Sequence, residues 1–359
     1  MSRSLTVHSN LTRYGSLLSN PLECLCRQSR FEYKSALRLL LIIVLLGGGV
    51  AIAGTPQRAK VPRIGYFVLP ALDDPPSEER QAFLQGLREL GYVEGKTIMI
   101  EYRSAGWNRE LLPDLAAELV DLKVDLIVAA GLTIQAAKDA TKTIPIVMPA
   151  TPDPVGSGFV GSLARPGGNI TGLSLVAPDL SGKRLELLKE SVPKVSRLAV
   201  LWNSASPSSE AEWKAMQPTA RALGIKLESR AVSNADEFLK AFSDMSRRRP
   251  DGLITILDTL TSSYSKIIAD WALQARLPTM FGYGAAAEAG GLISYGPSLP
   301  ELFRRAATYV DKILKGAKPA DLPVEQPMKF EFFINLKTAK QIGVTIPPEV
   351  LYRADKLIK

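Results

Sequence analysis

Few residue types in this sequence can do chemistry, and their placement decides which kind. The one histidine, His8, and the two cysteines, Cys24 and Cys26, all fall within the first 26 residues. The rest of the chain has no imidazole and no thiol. That leaves no Ser-His-Asp or Cys-His nucleophile and no Cys/His zinc site there. Carboxylates, lysines, tyrosines and hydroxyls remain. Asp258 follows the apolar run 252–257 and has Thr259 and Thr261 beside it. A carboxylate at the carboxyl end of a strand can pair an ammonium group, or it can cap the helix that opens near Thr261. Gly131-Leu132-Thr133 follows another apolar run and opens a helix. The free N–H groups and positive dipole end of such a helix suit a carboxylate, although Thr133 also reads as a plain N-cap. A cation site and an anion site facing each other across a cleft would suit a zwitterion. Asp153 is held between Pro152 and Pro154. Tyr66, Phe67, Trp202, Phe281 and Tyr283 stand at strand ends, where they serve as core or as ligand walls. The expected ligand-binding set is Tyr66, Gly131, Thr133, Asp153, Asn203, Asp258 and Tyr283, with no catalytic residue, metal or cofactor.

Composition narrows the class further. The 359 residues are 46% hydrophobic and 22% charged, which are globular proportions. Of the net charge of +8, half falls in residues 1–53. The remainder is a mild basic excess without interleaved aromatics, so no nucleic-acid partner is expected. Arg247-Arg248-Arg249 reads as a solvated helix end. Residues 27–53 have the parts of a secretory signal: Arg27, Arg30, Lys34 and Arg38, an apolar run from Leu39, and Ala51-Ile52-Ala53 as a cleavage site. The uncharged run is short for a bilayer span of roughly 20 residues. A periplasmic protein cleaved near Ala53 is therefore expected.

The elements that must position these residues follow from periodicity. Strands are predicted over 63–67, 97–102, 125–129 and 145–148, with helices over 77–90, 109–122 and 133–140 between them. Residues 151–172 hold three prolines and six glycines and read as a long functional loop. Within it, Gly156 to Gly161 matches G-x-G-x-x-G. Two prolines separate it from the preceding strand and no acid-tipped strand follows at the right distance, so no nucleotide site is assigned. The alternation then restarts. Strands are predicted over 197–202, 226–232, 252–257, 278–281, 291–295 and 330–335, with helices over 181–191, 208–223, 235–245, 261–275, 300–315 and 336–342. The halves echo each other. Leu90-Gly91, Asp125-Leu126-Ile127 and Ile144-Pro145 in the first are answered by Leu223-Gly224, Asp251-Gly252-Leu253 and Leu277-Pro278 in the second. This order predicts two similar α/β lobes with a cleft at the carboxyl ends of their strands.

The stretch 151–172, T-P-D-P-V-G-S-G-F-V-G-S-L-A-R-P-G-G-N-I-T-G, resembles the substrate-binding proteins of ABC transporters related to the tryptophan/tyrosine-binding type. Segments 83–92, 95–98, 137–145 and 289–296 support it, and the likeness covers residues 62 to 350. The resemblance implies a type I periplasmic-binding fold: two Rossmann-like α/β lobes with parallel sheets joined by a hinge. Lobe 1 is expected at 62–170 plus 297–322 and lobe 2 at 173–290 plus 328–359, with crossings near 169–174, 291–296 and 322–330. It implies a monomer that captures a small molecule, such as an aromatic or other amino acid, and delivers it to an ABC permease in the membrane without catalysis. Two alternatives stay open: a ligand-sensing domain that docks on a membrane sensor, and an isomerase working from the cleft with carboxylate, Lys or Tyr groups.

Overall fold

The computed structural model describes residues 60–359. The expected signal, its cleavage site, His8, Cys24 and Cys26 lie outside the described residues. The first lobe runs β1 (Arg63–Val68), α1 (Glu78–Glu89), β2 (Met99–Ser104), α2 (Leu112–Asp121), β3 (Leu126–Ala129), α3 (Thr133–Ala140), β4 (Ile146–Thr151) and β5 (Ile170–Ser174). Local chemistry starts the helices: the Ser77 hydroxyl accepts from Arg80 N, Glu78 and Glu79 occupy the first turn of α1, and Pro113 opens α2. The strands form one parallel sheet in the order β2-β1-β3-β4-β5. Every residue of β3 is buried, as a strand covered by helices on both faces must be.

The second lobe runs α4 (Ala177–Ser191), β6 (Arg197–Asn203), α5 (Pro207–Ala222), β7 (Lys226–Val232), α6 (Glu237–Arg248), β8 (Gly252–Thr255), α7 (Thr259–Ser263), α8 (Ser265–Gln274), β9 (Thr279–Phe281), α9 (Gly284–Glu288) and β10 (Ile293–Gly296). After α10 (Leu299–Leu314) come β11 (Glu331–Asn335), α11 (Leu336–Ile342), α12 (Pro348–Tyr352) and β12 (Lys356–Ile358). The second sheet has the order β12-β11-β10-β9-β8-β6-β7. Its β7-β6-β8-β9-β10 part repeats the order of the first sheet. The echo seen in the sequence is therefore one topology used twice. The two sheets are parallel except at β10–β11, which is antiparallel.

Several boundaries differ from the predicted ones. β5 begins inside the segment read as a loop and runs two residues past its end; all five of its residues are buried, and it pairs with β4. The helix predicted over 261–275 breaks at Tyr264 into α7 and α8, and α4 begins at Ala177 rather than near 181. Pro218 leaves α5 continuous. The short elements α9, α12 and β12 have no counterpart in the predicted pattern.

Helix α10 returns to the first lobe. It crosses α1 so closely that a Cβ at Gly86 would stand 2.5 Å from the Arg304 carbonyl oxygen. Tyr92 donates to Asp311 at 3.0 Å, and Arg304 pairs with Glu89 at 2.8 Å. The chain thus passes between the lobes directly after β5, directly after β10, and again between α10 and β11. The third passage lies along β5: Ser174 N donates to the Glu325 carbonyl at 2.8 Å and Glu325 N to the Gly172 carbonyl at 3.0 Å.

A buried ion pair stands against the end of β10, where the second passage begins. Arg184 on α4 is 1% exposed and Glu212 on α5 is 2% exposed. Arg184 Nη1 meets Glu212 Oε1 at 2.8 Å, and its Nε donates to the Tyr295 carbonyl at 2.9 Å. Ser181 Oγ donates to the same Glu212 oxygen at 3.0 Å. Burial pushes the Glu212 carboxyl up to about 7, against the pull of the Arg184 charge.

Candidate functional site: a cleft between two lobes

In both sheets the strand order reverses beside the first strand of the lobe, β2-β1-β3 in one and β7-β6-β8 in the other. Ligands of open parallel sheets bind outside the carboxyl ends of the strands at such points. A cavity of about 780 Å³ lies there, between the lobes. The first lobe contributes Tyr66 from β1, Trp107 from the loop after β2, and Gly131 before α3. The second contributes Asn203 at the end of β6, Asp258 before α7, Thr259 at its start, Tyr264 just past its end, and Tyr283 after β9. Its size is within the range of about 300–1,000 Å³ usual for small-molecule pockets.

The two lobes use the same turn at matching places. In the first, the Thr133 hydroxyl accepts from Ala130 N at 3.1 Å and donates to the Phe67 carbonyl at 2.9 Å. In the second, the Thr261 hydroxyl accepts from Asp258 N at 3.1 Å and donates to the Ile256 carbonyl at 2.6 Å. Thr133 ties the first turn of its helix back to β1, and Thr261 ties its own to the backbone just past β8. The lobes differ three residues earlier, where Ala130 stands in one and Asp258 in the other. Asp258 Oδ1 accepts from Thr261 N at 2.8 Å and completes a capping box. Burial pushes the Asp258 carboxyl up; the Thr261 N–H, the Asn203 amide and the Arg109 charge oppose that rise. A carboxylate held this way gains from an ammonium partner. Burial also raises the Tyr66 and Tyr283 hydroxyls, so both are neutral donors, and Tyr283 already donates to the Ser262 carbonyl at 2.8 Å.

Of the expected residues, Tyr66, Gly131, Asn203, Asp258 and Tyr283 line the cavity, whereas Thr133 and Asp153 do not. Thr133 is fully buried by the bonds just described. Asp153 accepts from Gly156 N at 2.8 Å and closes its own loop turn. Both side chains are spent on local backbone. The sequence reading missed Trp107, Thr259, Tyr264, Ser206 and Ser208, which also line the cavity. Ser206 and Ser208 flank the start of α5 just beyond β6, the same strand-to-helix step that singled out Asp258, so that signal was present for them.

The lobes touch across the cleft. Gly131 has φ +65°, and a Cβ there would lie 2.3 Å from Thr259 Oγ1 of the facing lobe. One apolar cluster continues from Ile64 and Phe83 of the first lobe to Leu257 and Tyr283 of the second.

Residues 70–358 match the family model of ABC transporter substrate binding proteins. The chain belongs to that family. Among its relatives is the tyrosine-binding protein of Clostridioides difficile (strain R20291), 30% identical over 77% of this chain and 78% of that one. Among solved structures, an ABC domain from Streptococcus pneumoniae in complex with L-Trp is 27% identical, covers 83% of this chain and 99% of that one, and superposes with a TM-score of 0.77. The ligand-free, open structure of a substrate-binding protein from Clostridium difficile has the same identity and coverage and a TM-score of 0.60. The two-lobed architecture is that of the type I periplasmic-binding proteins. Among the described residues no helix is long and apolar enough to cross a membrane.

Proposed function

We propose that this chain is the extracytoplasmic solute-binding component of an ABC importer. In this reading it captures an amino acid with an aromatic side chain in the interlobe cleft and delivers it to a membrane permease. The observation that carries the ligand class is the pairing of Asp258, a partly buried carboxylate in one lobe, with the N-terminal turn of α3 in the other, across a cavity walled by Tyr66, Trp107, Tyr264 and Tyr283. The ammonium group would meet Asp258, the carboxylate would meet the N–H groups after Gly131, and the ring would fill the aromatic space. What its relatives bind supports this reading. The role is capture and release rather than turnover. It is carried out by a monomer outside the cytoplasm, which is consistent with the secretory pattern of residues 27–53.

The test is a thermal shift across the L-amino acids at millimolar concentration. Ligand at one hundred times its Kd stabilises by about 2.7 kcal/mol, so L-tryptophan or L-tyrosine is expected to raise the Tm by several degrees. No shift from any amino acid would remove this ligand class.

Closure supplies a second expectation. Gly131→Ala places a methyl group against Thr259 Oγ1 and forces a left-handed backbone on alanine. The fold should persist at a cost of about 1 kcal/mol. L-tryptophan affinity by calorimetry should fall at least ten-fold, because the lobes can no longer approach. Wild-type affinity in this variant would show that Gly131 does not limit closure.

A further inference from the structure

The loop that follows β2 reaches across the cleft. It is anchored to its own lobe by three bonds: Ser104 Oγ to the Pro70 carbonyl at 2.7 Å, Ala105 N to the Val68 carbonyl at 3.2 Å, and Trp107 N to the Leu69 carbonyl at 2.9 Å. Gly106 has φ +54° and Trp107 has φ +72°. Two successive left-handed residues turn the chain sharply, and a bulky side chain rarely accepts that conformation. Such local strain persists where the surrounding structure holds it in place, and it concentrates at ligand clamps and switches. What the turn achieves is projection. The Trp107 ring meets the Tyr264 ring of the other lobe with centroids 5.5 Å apart. Tyr264 in turn packs on Phe238 at 5.3 Å, Phe238 on Phe242 at 6.0 Å, and Phe242 on Trp271 at 4.7 Å, so Trp107 docks on an aromatic ladder. Two residues on, Arg109 Nη2 donates to the Ser233 carbonyl, just past β7, at 2.7 Å.

We propose that residues 105–109 form a latch that sets the lifetime of the closed state. Trp107 and Arg109 are its positioning residues. Trp107 adds apolar contact and Arg109 a charge-assisted bond, both made only when the lobes are together. Because Trp107 also lines the cavity, ligand and latch reward the same closed arrangement, and each stabilises it for the other. The inference rests on the proposed binding role for its kinetic readout, but the lobe equilibrium can be measured without a ligand.

Two substitutions outside the cavity wall test it: Arg109→Gln removes the bond to Ser233, and Phe238→Leu removes the support under Tyr264. In stopped-flow experiments with L-tryptophan, each should raise the release rate about ten-fold and leave the association rate within about two-fold, since such bonds act after encounter. Arg109→Lys keeps a charged donor and should return release toward wild type. Small-angle X-ray scattering of the ligand-free proteins should give a larger radius of gyration for Arg109→Gln than for wild type. Slower association with unchanged release would assign these residues a structural role and overturn the latch. If neither L-tryptophan nor L-tyrosine binds the wild type, the ligand reading fails and scattering decides the latch; superimposable curves would then overturn it.

Discussion

Asp258→Asn is expected to lower L-tryptophan affinity by about 30-fold or more while leaving the Tm within a few degrees of wild type. Truncating one member of a desolvated charge pair costs about 2–5 kcal/mol, and 1.4 kcal/mol is a factor of ten. The asparagine oxygen can still accept from Thr261 N, so the cap of α7 survives, whereas Asp258→Ala would lose the cap as well. Binding should also depend on pH in a defined sense. Burial raises the Asp258 carboxyl above its ordinary range. An ammonium ligand needs the carboxylate, so affinity is full above the raised value and declines as pH falls through it, beginning at a higher pH than for an ordinary aspartate. The asparagine variant should lose that dependence. Calorimetric titration at several pH values measures both effects. Equal affinity in wild type and variant would take Asp258 out of the site.

The largest effect on stability is expected at Arg184. Arg184→Met leaves Glu212 buried without its cation and frees the Tyr295 carbonyl. Breaking a buried pair by removing one partner costs about 3–5 kcal/mol. For a chain of this size that lowers the Tm by roughly 5–8 °C. The pH sense follows from the raised Glu212 carboxyl. A group whose value is higher in the folded state stabilises while protonated, and that contribution is lost as pH rises through about 7. In wild type the Arg184 charge opposes this loss. In the variant only the Ser181 hydroxyl does, so its deficit should be deeper at pH 8 than at pH 5. Changing both partners, Arg184→Met with Glu212→Leu, should recover much of the stability, because no buried charge remains. Thermal melts across that pH range decide it; a variant deficit independent of pH would show that Glu212 does not titrate there.

How far each residue could be read depended on the range of the interaction that decides it. β1, β3, β6 and β8 are apolar runs between turn signals, and their burial makes that pattern obligatory, so the strands and the echo between halves were visible in the residues themselves. Asp258 was readable because the step from strand to helix is local and its capping chemistry is short-range. β5 was not. Ile170–Ser174 is short, includes a glycine and follows a proline- and glycine-rich loop, and only pairing with β4 makes it a strand. Thr133 and Asp153 were read as ligand contacts from their placement on the chain. Which way their side chains turn was settled by the nearest backbone groups, and those won.

Trp107 marks the boundary most clearly. Nothing near it in the chain distinguishes it from a surface aromatic. Its meaning comes from Tyr264 and from the cavity, both of which reach it only through the approach of the lobes. By itself the sequence determined the two α/β lobes, their repeated order and the family, because hydrophobic period, turn residues and a long motif are properties of neighbouring positions. The tertiary structure alone decided that Thr133 and Asp153 turn away from the cleft, that Trp107 and Tyr264 join it, and that Arg184 is sealed against Glu212. Those outcomes depend on packing between segments far apart in the chain, and a one-dimensional pattern does not encode the distances that such packing creates.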